Sequence, residues 1–310
     1  MLSLPLEDKT PPDWQLPQDS IIESIKKPLR LAIYPHYLKM MSPILRQRFA
    51  KFDERNLPID QWFWWPRGFE FELLRYRLNQ IFTINSKSVL IAGCGQGRDV
   101  TTWLKYKPSQ IVGVEYFNYR RSWDLFTEKY AEQVPIQFIQ GDLTNLSDIP
   151  DNTYDIIASD AVFEHLKDLP AVLKEFYRIL KPTGVMYATF GPLWYSWGGD
   201  HFSGKDNTGF NHLLLKQEDY LTYINNYERI GVTYIKNFLQ ENMFSYLKPY
   251  EYIDALHNQG FSKRWLGFAI SPQAVDFFVT HPTIAGSLTQ KASILDLFVC
   301  GISVVYQKRP

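Results

Sequence analysis

The sequence predicts an α/β fold built on a doubly wound, mostly parallel sheet. Three observations predict it: short apolar runs recur along the chain, helix-length segments separate them, and the first run enters a glycine-rich turn, "SVLIAGCGQG". Strands covered on both faces read as continuous apolar runs, and alternation of such runs with helices builds parallel sheets.

Taken in order, residues 1 to about 20 are Pro-rich with mixed charge and predict an extended arm. From Ile21 to Tyr76 the apolar spacing is helical, with Leu38, Met41, Ile44, Leu45 and Phe49 on one face. In "QWFWWPRGFEFELLRYRL", Pro66 and Gly68 punctuate an aromatic cluster ahead of a helix carrying Leu73, Leu74 and Leu78, and the whole of 1–86 reads as arm and helical cap. The core, 87–204, contains five strand-like runs: "SVLIAG", "IVGVE", "IQFIQGD", "YDIIASD" and "GVMYATF". The helix "AVLKEFYRILKPTG" has Asp168 and Pro170 at its start, Leu173, Phe176, Tyr177 and Leu180 facing inward, and Pro182 and Gly184 to stop it. Residues 205–260, rich in Tyr, predict a helical lid inserted over the sheet edge. Residues 261–310 supply the closing strands, "KRWLGFAI" and "LDLFVCGISVVYQ".

The 310 residues, 45% hydrophobic and 21% charged, suffice for one large domain with extensions or two small ones. Thirty-three basic residues balance thirty-three acidic ones. No global charge therefore draws the chain to nucleic acid or membrane, and a small or carrier-bound substrate is expected. Cys94, in the glycine turn, and Cys300, in an apolar segment, are poorly placed to pair, and the N-terminus lacks signal-peptide character, so a cytoplasmic location is expected.

The first strand runs into "AGCGQGRD", with Gly93, Gly95 and Gly97 spaced as GxGxG around Cys94. Glycines there admit positive φ and let a ligand lie on the backbone at the sheet's C-terminal edge. The dinucleotide fingerprint places a third glycine where this chain has Arg98, which counts against a nicotinamide cofactor. Glu115, next to Tyr116 at the end of the second run, sits where an acid accepts both ribose hydroxyls. Asp142, followed by Leu143, ends the third run, where a carboxylate accepts from an adenine amino group or closes a turn.

These residues resemble the class I S-adenosylmethionine-dependent methyltransferases, on "VLIAGCGQG", "VGVE", "QGDL" and "YDIIASDAVFEHLKDLPAVLKEFYRILKPTG". The resemblance implies a Rossmann-like fold, a doubly wound seven-stranded sheet with its last strand antiparallel, and S-adenosyl-L-methionine as cofactor. It further implies that Gly93, Gly95 and Gly97 touch the methionine moiety, Glu115 the ribose, Asp142 and Leu143 the adenine, and that Asp160 lies near the amino-acid end. The pair Glu164 and His165 is expected to order its loop and pack the cofactor wall.

The loop after the fifth strand, "TFGPLWYSWGGDHFSG", borders the methyl acceptor in such a fold. Methyl transfer needs alignment and exclusion of water, and an alcohol acceptor needs a base; His201 is the first candidate and His212 the second. The six histidines show no HxH or HxxxH spacing, and Asp200 and Asp206 are too thin a basis to assign a metal site; no metal ligand is assigned, and whether a divalent metal assists stays open. The loop, the length and the aromatic cap resemble the stand-alone O-methyltransferases of cyanobacterial microcystin and nodularin pathways. This implies a hydroxyl on an apolar, phenyl-ended polyketide side chain, in a pocket under Trp62, Trp64, Trp65, Trp194 and Trp197. An N- or C-methyltransferase, or a cofactor-binding module without catalysis, remains open at this level.

Overall fold

The computed structural model describes residues 4–16, 21–65, 71–205, 208–226, 239 and 241–310. Pro66, Gly68, Asp206 and the lid residues 227–238 lie outside them. The strands are β1 Gln61–Trp64, β2 Ser88–Ala92, β3 Gln110–Glu115, β4 Ile136–Gln140, β5 Tyr154–Asp160, β6 Leu180–Phe190, β7 Phe261–Ile270 and β8 Val299–Lys308. They form one sheet in the order β1-β7-β8-β6-β5-β2-β3-β4. β8 runs antiparallel to both its neighbours, β6 and β7, and every other pairing is parallel.

Among the described residues the expected seven strands are thus eight. The additional strand is β1, part of the aromatic cluster assigned to the helical cap. Its four residues run parallel to β7, with Trp62 opposite Phe268 and their rings 5.7 Å apart, edge to face. Aromatic residues favour strands, yet four residues ahead of a proline carry too little periodicity to declare one. Trp62 and Trp64 are therefore sheet residues at the far edge, Trp65 packs over Gly301, and Trp197 packs on Phe210 and Phe277. Of the five tryptophans expected over an acceptor, Trp194 packs on Phe244, 5.0 Å between ring centres.

Each strand divides its side chains between two cores, because successive residues point to opposite faces. In β2, Leu90 and Ala92 join the core under the helices Leu169–Ile179 and Pro249–Asn258, whereas Val89 and Ile91 join the core under Phe71–Ile81 and Trp103. Pro249–Asn258, the end of the 205–260 span, contributes Tyr252, Ile253 and Leu256 to the first core. In the long helix Ile21–Phe49, Leu38, Leu45 and Phe49 are buried, but Ile44 is 53% exposed. Steps of seven and four residues hold one face, and Ile44, a turn of about 100° from Leu45, leaves it.

The helix Leu169–Ile179 starts as predicted, the Asp168 carboxylate accepting from the Ala171 N–H at 3.0 Å. Asp168→Ala is expected to cost about 1 kcal/mol in urea denaturation, with Asp168→Asn close to wild type.

Candidate active site

The glycine turn is bound to β3, Val114 O accepting from both Gly93 N–H (2.8 Å) and Cys94 N–H (3.1 Å). Gly93 (φ +72) packs so closely on the Val162 side chain that any Cβ would overlap it. Gly97 (φ +89) lies where a Cβ would sit 2.9 Å from the Phe138 ring. Those two glycines serve close packing, whereas Gly95 faces open space. Glu115 turns back into the turn: Oε2 accepts from Gly95 N–H at 2.8 Å, and Oε1 accepts from Tyr116 N–H at 2.9 Å and Phe117 N–H at 3.2 Å. Burial raises its carboxyl pKa against those three donors.

The other residues expected at the cofactor divide. Cys94 is buried behind the turn against Gly113, its thiol pushed well up by burial. Tyr116 packs edge-on against Phe117, and Leu143 belongs to the core. Asp142 closes a turn, Oδ1 accepting from the Thr144 amide (2.9 Å) and hydroxyl (2.8 Å). Asp160 is held from below by a residue the sequence did not single out: the fully buried guanidinium of Arg75 pairs with both its oxygens, and the Tyr187 hydroxyl donates to Oδ1 at 3.1 Å. Burial works against the Arg75 charge, but Asp160, with Tyr187 and Asp99 nearby, offsets it and the guanidinium pKa is raised.

Over the tips of β3 and β4 runs the N-terminal arm. Gln140 Nε2 donates to Pro5 O at 2.5 Å, Asp8 bridges to Asn118, and Trp14 Nε1 donates to Gln96 Oε1 at 2.6 Å inside the glycine turn. The arm thus crosses the edge at which Glu115 and Asp142 end their strands. Removing residues 1–16 is expected to weaken S-adenosylhomocysteine binding about tenfold, or roughly 1.4 kcal/mol, by calorimetry.

Beyond β5 and β6 three polar side chains converge. Glu164, 2% exposed, accepts from Gly191 N–H through Oε1 at 3.0 Å, which joins the two strand ends. Its Oε2 is buried with no hydrogen-bond partner among the described residues, and burial pushes the carboxyl up to about 8. His165 Nδ1 donates to Met243 O at 2.7 Å, and burial lowers its pKa. The rings of His165 and His201 stand 4.8 Å apart, and Phe244 packs on both at 5.4 and 5.5 Å. One ligand atom from each of Glu164, His165 and His201 lies within 4.8 Å of the others.

The loop that carries His201 is braced rather than loose. Buried Asp200 accepts from Phe202 N–H (3.0 Å), Ser203 N–H (2.8 Å), Ser203 Oγ (2.5 Å) and Tyr220 OH (2.6 Å). His201 itself adopts φ +59. His212 lies elsewhere: its Nε2 donates to Trp194 O at 2.6 Å and its Nδ1 is 3.9 Å from Asp200. It positions Trp194, whereas His201 meets the pair Glu164 and His165. The sequence drew attention to "FEH" and to His201 separately; a scan for closely spaced ligands passes over groups joined only by folding.

Residues 90–188 match the family model described as a methyltransferase domain. The chain is similar to a sterol 24-C-methyltransferase of Aspergillus fumigatus, 29% identical over 36% of this chain and 29% of that protein. It is also similar to a malonyl-[acyl-carrier protein] O-methyltransferase of Yersinia pestis, 29% identical over 32% of this chain and 34% of that one. The chain therefore spans about a third of the length of these relatives. Among solved structures it resembles geranyl diphosphate C-methyltransferase from Streptomyces coelicolor, in complex with Mg2+, geranyl diphosphate and S-adenosyl-L-homocysteine, at TM-score 0.48 and 12% identity over 78% of each chain. No helix among the described residues is long and apolar enough to cross a membrane.

Proposed function

We propose that the protein, whose residues 90–188 match a methyltransferase domain, is an O-methyltransferase that takes its methyl group from S-adenosylmethionine. Its acceptor is a hydroxyl of an apolar, phenyl-ended natural product, free or carrier-bound, and the Adda side chain of microcystin is the first candidate. The observation that carries the acceptor assignment is the meeting of His201 with Glu164 and His165, just past Val162, which packs on Gly93.

The reaction is an in-line displacement. The O–CH3 bond forms as the S–CH3 bond breaks, the electron pair stays on sulfur, and the hydroxyl proton passes to His201. Positive charge leaves the sulfonium and reappears on the imidazole. Trp194 and Phe244, 5.0 Å apart, wall the position and keep water from competing. Glu115 and the arm residues hold the nucleoside end.

The test is transfer of labelled methyl from S-adenosylmethionine to O-desmethyl microcystin, beside simple hydroxylated aromatics, sterols, amines and glycans. Label on the desmethyl oxygen is the expected result. Label on carbon or nitrogen of another acceptor would overturn the hydroxyl assignment.

A further inference from the structure

We propose that Glu164, His165 and His201 form a binding site for one divalent transition-metal cation, with coordination positions left open for an oxygen of the acceptor. The inference rests on the acceptor position proposed above, and deepens it.

The donor set is a carboxylate and two imidazoles, whose ligand atoms all lie within 4.8 Å of one another. A tetrahedral cation with bonds of about 2.1 Å spaces its ligands roughly 3.4 Å apart, so modest side-chain rotation closes the set. Three protein ligands with a remaining open position is the pattern of catalytic rather than structural sites.

Two further observations point to a ligand. Glu164 is buried, and Gly191 N–H engages Oε1 alone, which leaves Oε2 without a hydrogen-bond partner among the described residues. A buried carboxylate oxygen in that state is costly, and a cation removes the cost. His165 donates Nδ1–H to Met243 O, which places the lone pair of its neutral ring on Nε2. A backbone carbonyl holding the far nitrogen is how metal-binding histidines are oriented. Phe244, packed on both rings, gives the site an apolar wall.

Imidazole and carboxylate together suit Zn2+, Fe2+, Mn2+ or Co2+ better than Ca2+ or Mg2+, which prefer oxygen alone. The acceptors that fit are hydroxyls, above all those with a second oxygen close by. A hydroxyl bound to the cation loses its proton more readily; with the cation in place the His201 lone pair is committed to it, so the base role given to His201 above belongs to the metal-free site and the proton passes to water.

The experiment uses the full chain, stripped with chelator and titrated with Co2+ and with Zn2+. Visible absorbance and calorimetry read the metal, and S-adenosylhomocysteine binding is measured in parallel. One equivalent of Co2+ with a d–d band is expected, weakened at least tenfold in Glu164→Gln and His201→Asn while S-adenosylhomocysteine affinity holds. Glu164→Gln keeps the shape and the bond to Gly191, so it separates ligation from folding. No binding by the wild type, or equal binding by wild type and variants, would overturn the site. Because binding is read without turnover, one equivalent of Co2+ lost in the variants supports the site even if no hydroxyl acceptor takes methyl, an outcome that instead removes the reaction proposed above.

Discussion

His201→Asn is expected to lower kcat by at least about a hundredfold while S-adenosylhomocysteine affinity stays within about threefold. Asparagine is the informative replacement, because residue 201 has φ +59 and asparagine tolerates that region better than alanine. The loop is braced by Asp200 through four accepted hydrogen bonds, so losing the imidazole leaves the frame in place. The same loss follows whether the ring accepts a proton or holds a cation; the pH profile and the metal titration distinguish the two. Single-turnover transfer is the measurement, and a rate within threefold of wild type would remove His201 from the mechanism.

Asp160→Ala is expected to destabilise the fold by about 3–5 kcal/mol, because it takes from the buried Arg75 guanidinium the carboxylate that pairs with it most closely. In a chain of this size that corresponds to a melting temperature lower by on the order of 10 °C. Arg75 also lies 4.3 Å over the Trp103 ring, a contact that does not replace a carboxylate. Replacing both partners, as in Arg75→Met with Asp160→Leu, is expected to recover much of the loss, since two apolar groups leave no stranded charge. Thermal and urea denaturation of the two single variants and the double one make the test. An Asp160→Ala protein as stable as wild type would show that the pair does not carry the floor of this site. Asp160 is thus the buried partner of Arg75, with Tyr187 completing its hydrogen bonds.

Much of this was legible residue by residue. Continuous apolar runs gave β2, β3, β5 and β6 because a strand covered on both faces needs no polar alternation. Asp168 announced the helix that follows it, since a cap is a local hydrogen bond. Glu115 ends its strand as the apolar run predicts, because strand length acts over a few residues; that its carboxylate accepts from Gly95 N–H is seen only in the fold.

The rest belongs to tertiary structure. β1 is a strand because β7, far along the chain, offers it an edge; its own four residues are too few to show a period. Asp160 is a buried half of an ion pair because folding sets Arg75 beneath it from 85 residues away. His201 is distinguished from His212 by what surrounds each ring: Glu164, His165 and Phe244 around the first, the Trp194 carbonyl and Asp200 around the second. Local sequence determines backbone periodicity and turns, which depend on neighbours a few residues apart. Burial, charge pairing and the meeting of side chains from separate loops depend on the folded density around them, and only the closed structure decides those.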